Sequence, residues 1–157
     1  MTDFRYIKGN LITLALNDYF DIIIHGCNCF HTMGAGIAKS IKQTFPLAYK
    51  ADLETKKGDK SKLGNYSFAK CKTKTGNDLV VINAYTQYDY GRKSIHCNYE
   101  AICDVLFKIG RNFMGRIGMP KIGCGLAGGN WDILEKPIKL LFSGNDVTIV
   151  EYNNREF

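Results

Sequence analysis

The sequence predicts an α/β fold of three layers, with a mixed, mostly parallel central sheet between helices. Two observations carry that expectation. Apolar, largely β-branched runs at Ile22-Ile23-Ile24, Leu79-Val80-Val81-Ile82-Asn83-Ala84 and Val147-Thr148-Ile149-Val150 read as buried strands, and stretches with apolar residues at helical spacing separate them. Two of the strands also run into small, glycine-rich loops that open helices, one around Gly34-Ala35-Gly36 and one around Gly123-Cys124-Gly125.

In order, Phe4-Arg5-Tyr6-Ile7-Lys8 alternates like an opening strand that Gly9-Asn10 ends. Leu11 to Leu16 is a short helix or a turn. Ile22 to His25 is the central strand. Gly36 to Phe45 is a helix with Ile37, Ala38, Ile41 and Phe45 on one face, stopped by Pro46. Leu47 to Lys56 reads as a second short helix, and Gly58 to Gly64 as a basic loop. Tyr66 to Lys70 is an edge strand, joined through a turn with Gly76-Asn77 at its tip to the strand Leu79–Ala84. Tyr85 to Arg92 is an aromatic and polar loop. Helix signals resume at Ser94, with Tyr99, Ile102, Cys103, Leu106 and Phe107 as the core-facing stripe. Arg116 to Pro120 is a short strand feeding the second glycine loop. A helix from Trp131 to Phe142, with a kink expected at Pro137, precedes the last strand, Val147 to Tyr152.

A chain of 157 residues, 45% hydrophobic, fits one compact domain over 1–157 with a single core. No apolar run is long enough to span a membrane and the first residues carry no signal pattern, so a cytoplasmic protein is expected. The six cysteines include no Cys-x-x-Cys pair, which favours buried free thiols over zinc or a disulfide framework; no metal and no cofactor are expected. Cys27 or Cys29 as a nucleophile would need a base to make the thiolate. The net charge of +6 favours an anionic partner. The lysines between Lys50 and Lys62 alternate with Asp52, Glu54 and Asp59, the pattern of a solvated helix and loop.

The two glycine loops are the candidate chemistry. Small residues before a helix let backbone N–H groups approach a ligand, and the helix N-terminus favours negative charge. Two such loops would grip a diphosphate. His25, where an apolar strand meets the loop, is a candidate base or phosphate-directed nucleophile, against the alternative of a histidine that only shapes the loop. Asn28 offers both a donor and an acceptor, against a turn-forming role. Asp132, in the first turn of the last helix, is a candidate acid, against a charge that complements the dipole. Asn130 reads as a helix cap, and Gln87, Tyr88 and Arg92 as loop residues that either reach a ligand or are simply solvated.

These residues resemble the macrodomain family, the ADP-ribose-binding α/β/α fold. His25-Gly26-Cys27-Asn28 followed by Met33-Gly34-Ala35-Gly36-Ile37 matches its first loop in spacing. Gly123-Cys124-Gly125-Leu126-Ala127-Gly128 matches its second loop, Lys8-Gly9-Asn10 its opening motif, and Phe45-Pro46-Leu47-Ala48-Tyr49 the helix end after the first loop. The likeness is nearest to the branch holding yeast-type ADP-ribose-1″-phosphate phosphatases and terminal ADP-ribose glycohydrolases, where Trp131 also finds a counterpart. That glycohydrolase type uses a lysine after the middle strand and an aspartate in the second loop. Ala84-Tyr85-Thr86 and Ala127 stand there, whereas His25 matches the phosphatase type.

The resemblance implies ADP-ribose or a derivative as ligand, with Asn10 at the adenine amino group through its carbonyl oxygen, Leu11 beside it and Tyr152 stacked on the ring. The diphosphate is expected between the two loops, and the distal ribose at Asn28, His25 and Asp132. The implied reaction is hydrolysis of ADP-ribose-1″-phosphate by a monomer. The alternatives are removal of ADP-ribose from a modified protein or nucleic acid, and a non-catalytic reader of such nucleotides.

Overall fold

The computed structural model describes residues 3–90, 97–124 and 128–152. Six strands, β1 (Phe4–Gly9), β2 (Ile22–Cys27), β3 (Tyr66–Lys72), β4 (Asp78–Tyr85), β5 (Arg116–Met119) and β6 (Asp146–Tyr152), form one sheet in the order β1-β6-β5-β2-β4-β3. Every pairing is parallel except β3 with β4, which a tight turn joins as an antiparallel hairpin. Gly76 in that turn has φ +84°, a conformation that favours glycine.

The helices are α1 (Leu11–Leu16), α2 (Gly36–Thr44), α3 (Pro46–Leu53), α4 (Tyr99–Asn112) and α5 (Trp131–Leu141). The alternation of each strand divides its side chains between two cores. Ile22, Ile24, Ile82 and Ala84 pack with Ile102 and Leu106 of α4 and Leu134 and Ile138 of α5. Ile23, Leu79 and Val81 pack with Leu11 and Ala15 of α1, Ile41 of α2 and Ala48 of α3. The expected three layers and mostly parallel sheet are therefore present.

The local differences have physical causes. Pro46 ends α2 as expected but also opens α3 as its first residue, where a missing N–H costs nothing. α4 starts at Tyr99, where the Asn98 side chain accepts the Ala101 N–H at 2.9 Å; Ser94 lies outside the described residues. The stripe of α4 falls on Ala101, Ile102, Val105, Leu106 and Ile109, while Phe107 is half exposed. Pro137 sits inside α5, which continues through it to Leu141. The stretch read as solvated holds two buried charges. Asp52 is 1% exposed, and Lys62 is 8% exposed with its Nζ donating to the Cys29 carbonyl at 3.2 Å. Among the described residues no helix is long and apolar enough to cross a membrane.

Because β1, β2, β4, β5 and β6 run the same way, their C-terminal ends share one edge. The described parts of the loops after β2, β4 and β5 gather there, at the edge where open parallel sheets bind ligands.

Candidate functional site

Two joined cavities open at that edge. The larger, about 580 Å³, lies between the loop after β2 and the loop after β5. Gly26, Asn28, Gly34, Ala35, Gly36 and Ile37 line one side, and Pro120 to Gly123 the other. The smaller, about 370 Å³, is lined by Asn10, Leu11, Ser40, Val150 and Tyr152. Gly36, Ile37 and Pro120 belong to both, so one elongated ligand can occupy the pair.

At the junction the start of α2 leaves backbone donors uncommitted. Gly36 begins α2 at φ +58°, and the N-cap is Ala35, whose side chain caps nothing. The N–H groups of Gly36, Ile37 and Ala38 therefore have no intrahelical acceptor and stand at the cleft wall. The smaller cavity has a different character. Leu11, Ile37, Pro120 and Val150 supply apolar walls, and Tyr152, 58% exposed, stands at its rim. That combination suits a flat aromatic base.

His25 is not in either cavity. Strand β2 continues to Cys27, so His25 shares a face with Ile23, directly opposite Asn83 of β4 in the register. Its ring is fully buried, with Nε2 2.6 Å from Asn83 Oδ1. The Asn83 amide donates to the Ala48 carbonyl at 2.9 Å and lies 3.0 Å from Ser67 Oγ. Those bonds fix Asn83 Oδ1 as the acceptor and put the imidazole proton on Nε2. Ser67 in turn meets the Tyr85 hydroxyl at 2.8 Å, which donates to Asp52 at 2.7 Å. A buried polar chain thus runs from α3 to β2. Burial pushes the His25 pKa down to about 4, against the opposing effects of the Asn83 hydrogen bond and Asp52. A neutral imidazole sealed under the sheet does not fit the expected base or nucleophile. Burial likewise pushes the Cys27 and Cys29 thiols up, so neither is a ready thiolate.

Asn28 lines the cleft but spends its side chain on the loop. Its Oδ1 accepts the Phe30 N–H at 2.8 Å and the Thr32 N–H at 3.4 Å, and its Nδ2 donates to the Thr32 carbonyl at 3.0 Å. Asp132 is exposed at the start of α5 and lines neither cavity, and its backbone N–H is capped by Asn130 at 2.9 Å. Met33 is buried in the core under α2, and Cys124 is half-buried away from both cavities. Gly128, at φ +78°, also lines neither. Gly125, Leu126, Ala127 and Arg92 lie outside the described residues. Among the described residues, no group of histidine, cysteine and carboxylate side chains is arranged to hold a metal ion.

Asn10 also departs from expectation. Its Oδ1 caps α1, accepting from Ile12 N–H at 3.0 Å and Thr13 N–H at 3.1 Å. Two residues at the site, Thr86 and Lys121, carry no sequence signal that singles them out. Thr86 follows β4, is completely buried, and its Oγ1 has no hydrogen-bond partner among the described residues. A methyl group on Gly26 would come within 2.7 Å of that oxygen, so glycine there lets β2 pass close to Thr86. Lys121 lines the cleft with its Nζ 3.0 Å from Glu151.

The Macro domain family model matches residues 24–137. The chain belongs to the Macro domain family. This is an ADP-ribose-binding family. An uncharacterized 17.5 kDa protein of Enterobacteria phage T4 is 36% identical over 154 residues, covering 94% of this macrodomain chain and 96% of that protein. The ADP-ribose 1″-phosphate phosphatase of Saccharomyces cerevisiae is 29% identical over 109 residues, covering 65% of this chain and 58% of the yeast protein. Among solved structures, Thermosipho africanus DarTG in complex with ADP-ribose superposes with a TM-score of 0.72 at 17% identity, over 97% of this macrodomain and 42% of that chain.

Proposed function

We propose that this macrodomain binds ADP-ribose or a derivative across the two joined cavities and hydrolyses ADP-ribose-1″-phosphate to ADP-ribose and phosphate. The observation that carries the binding is the uncapped first turn of α2 at the cavity junction. In this reading the adenosine fills the smaller cavity against Leu11 and Tyr152. The diphosphate lies on the N–H groups of Gly36 to Ala38, facing Gly123, and the distal ribose reaches toward Gly26, Asn28 and Gln87. The similarity to the yeast phosphatase supports the reaction.

Because His25 is buried, the attacking group is water rather than imidazole. Its oxygen joins phosphorus as the bond to the ribose oxygen breaks, and a water proton passes to the departing ribose oxygen, giving ADP-ribose and phosphate. Positioning and electrostatics dominate phosphoryl transfer, so anchoring the diphosphate on the α2 N–H groups to hold the distal phosphate for in-line attack would supply part of the rate.

A second reading is binding without turnover. It is favoured by one fact: among the described residues no carboxylate or imidazole lines the cleft. Phosphate release from ADP-ribose-1″-phosphate, with calorimetric ADP-ribose binding on the same sample, separates the two. Release and binding together support the phosphatase. Binding alone moves the reading to a reader, or to removal of ADP-ribose from protein or nucleic acid. No binding refutes both.

A further inference from the structure

We infer that the base subsite of this macrodomain reads the purine with a hydrogen-bond donor, so that it admits a 6-oxopurine as well as adenine. The inference rests on the adenosine placement proposed above and adds the polarity of the contact. It starts from a conflict in the side chain of Asn10. An asparagine amide has one carbonyl oxygen with two lone pairs and one NH₂ with two N–H bonds. Both lone pairs of Asn10 Oδ1 are committed, to Ile12 N–H at 3.0 Å and Thr13 N–H at 3.1 Å. Asn10 lines the smaller cavity. The NH₂ group, on the opposite side of the planar amide, has no acceptor among the described residues. What Asn10 offers a ligand is therefore N–H and no acceptor.

Adenine presents a donor at its 6-amino group and an acceptor at N1. A 6-oxopurine presents an acceptor at O6 and a donor at N1. A donating amide pairs with N1 of adenine or with O6 of a 6-oxopurine, and it cannot accept from the 6-amino group. The other hydrogen-bonding side chains lining this cavity, the Ser40 and Tyr152 hydroxyls, can each donate or accept and so do not discriminate. Aspartate at position 10 would reverse the polarity. One carboxylate oxygen would keep the cap and the other would accept from a 6-amino group, with a penalty facing O6. Aspartate caps helices about as well as asparagine, so this substitution leaves α1 intact.

The test is calorimetry of the wild type and Asn10→Asp with two probes, ADP-ribose and its analogue carrying hypoxanthine in place of adenine. The wild type is expected to bind the two within about threefold of each other, and Asn10→Asp to favour ADP-ribose by about tenfold or more. A melting temperature for Asn10→Asp matching the wild type confirms that the cap survives. A wild type that rejects the hypoxanthine analogue by about tenfold would overturn the inference while leaving ADP-ribose binding in place. So would a preference that Asn10→Asp leaves unchanged, since Asn10 would then not face the base. Failure of the wild type to bind either nucleotide would instead overturn the function on which the inference rests.

Discussion

Acidification should destabilise this macrodomain through His25, and the size of the effect follows from its burial. The imidazole titrates near 6.5 in an unfolded chain and near 4 in the folded one. Between those values the unfolded state binds the extra proton, so stability rises with pH. The His25 contribution is fully present above about pH 6.5 and is lost as pH falls toward the folded pKa. From pH 7 to pH 5 the two titration curves give a loss of about 2 kcal/mol, because each tenfold difference in proton affinity between the two states is worth about 1.4 kcal/mol. Other groups titrate in the same range, so the effect must be read as a difference. His25→Gln removes the titration while keeping an N–H for Asn83 Oδ1. Urea unfolding of both proteins at pH 7 and pH 5 is the assay. The wild type should lose about 2 kcal/mol more than the variant over that interval. Equal losses would refute the reasoning, as would an NMR titration of His25 with a midpoint near 6.5.

Three other substitutions test the site's packing. Thr86→Val removes a buried hydroxyl with no partner among the described residues and should raise stability by about 1 kcal/mol in urea unfolding. Gly26→Ala drives a methyl group to within 2.7 Å of Thr86 Oγ1. It should cost about 1–3 kcal/mol, and much of that should return in the Gly26→Ala, Thr86→Ala double variant, read as a mutant cycle. Gly36→Ala places a side chain on a residue at φ +58°, at the cleft junction. It should cost about 1 kcal/mol of stability and weaken ADP-ribose binding in calorimetry.

The sheet was legible because its strands are uniform apolar runs, and the helix faces because Ile102, Leu106, Leu134 and Ile138 recur at helical spacing. The first glycine loop was legible as a strand-to-helix connection, since Gly34-Ala35-Gly36 stands just before an apolar helix face and Gly36 opens α2 at φ +58°. What failed was the assignment of polar residues. His25 reads in sequence as the polar tip of a strand that ends there, but the strand runs two residues further. Counting by twos from Ile23 through His25 to Cys27 would have put the imidazole in the core under α3. Asn28 and Asn10 were each read as a ligand contact against a turn-forming alternative, and each closes a local turn or cap, the common fate of asparagine beside a loop. Asp52 and Lys62 were masked by neighbouring surface charges. Their partners, Tyr85 and the Cys29 carbonyl, are 33 residues away in each case, a separation no local pattern reports.

The most direct test of the central claim is the backbone amide NMR spectrum of the wild type titrated with ADP-ribose. The largest shifts are expected at Gly36, Ile37 and Ala38, whose N–H groups would take the diphosphate, with smaller ones at Leu11 and Tyr152. Shifts that leave the first turn of α2 untouched and gather elsewhere would contradict the account.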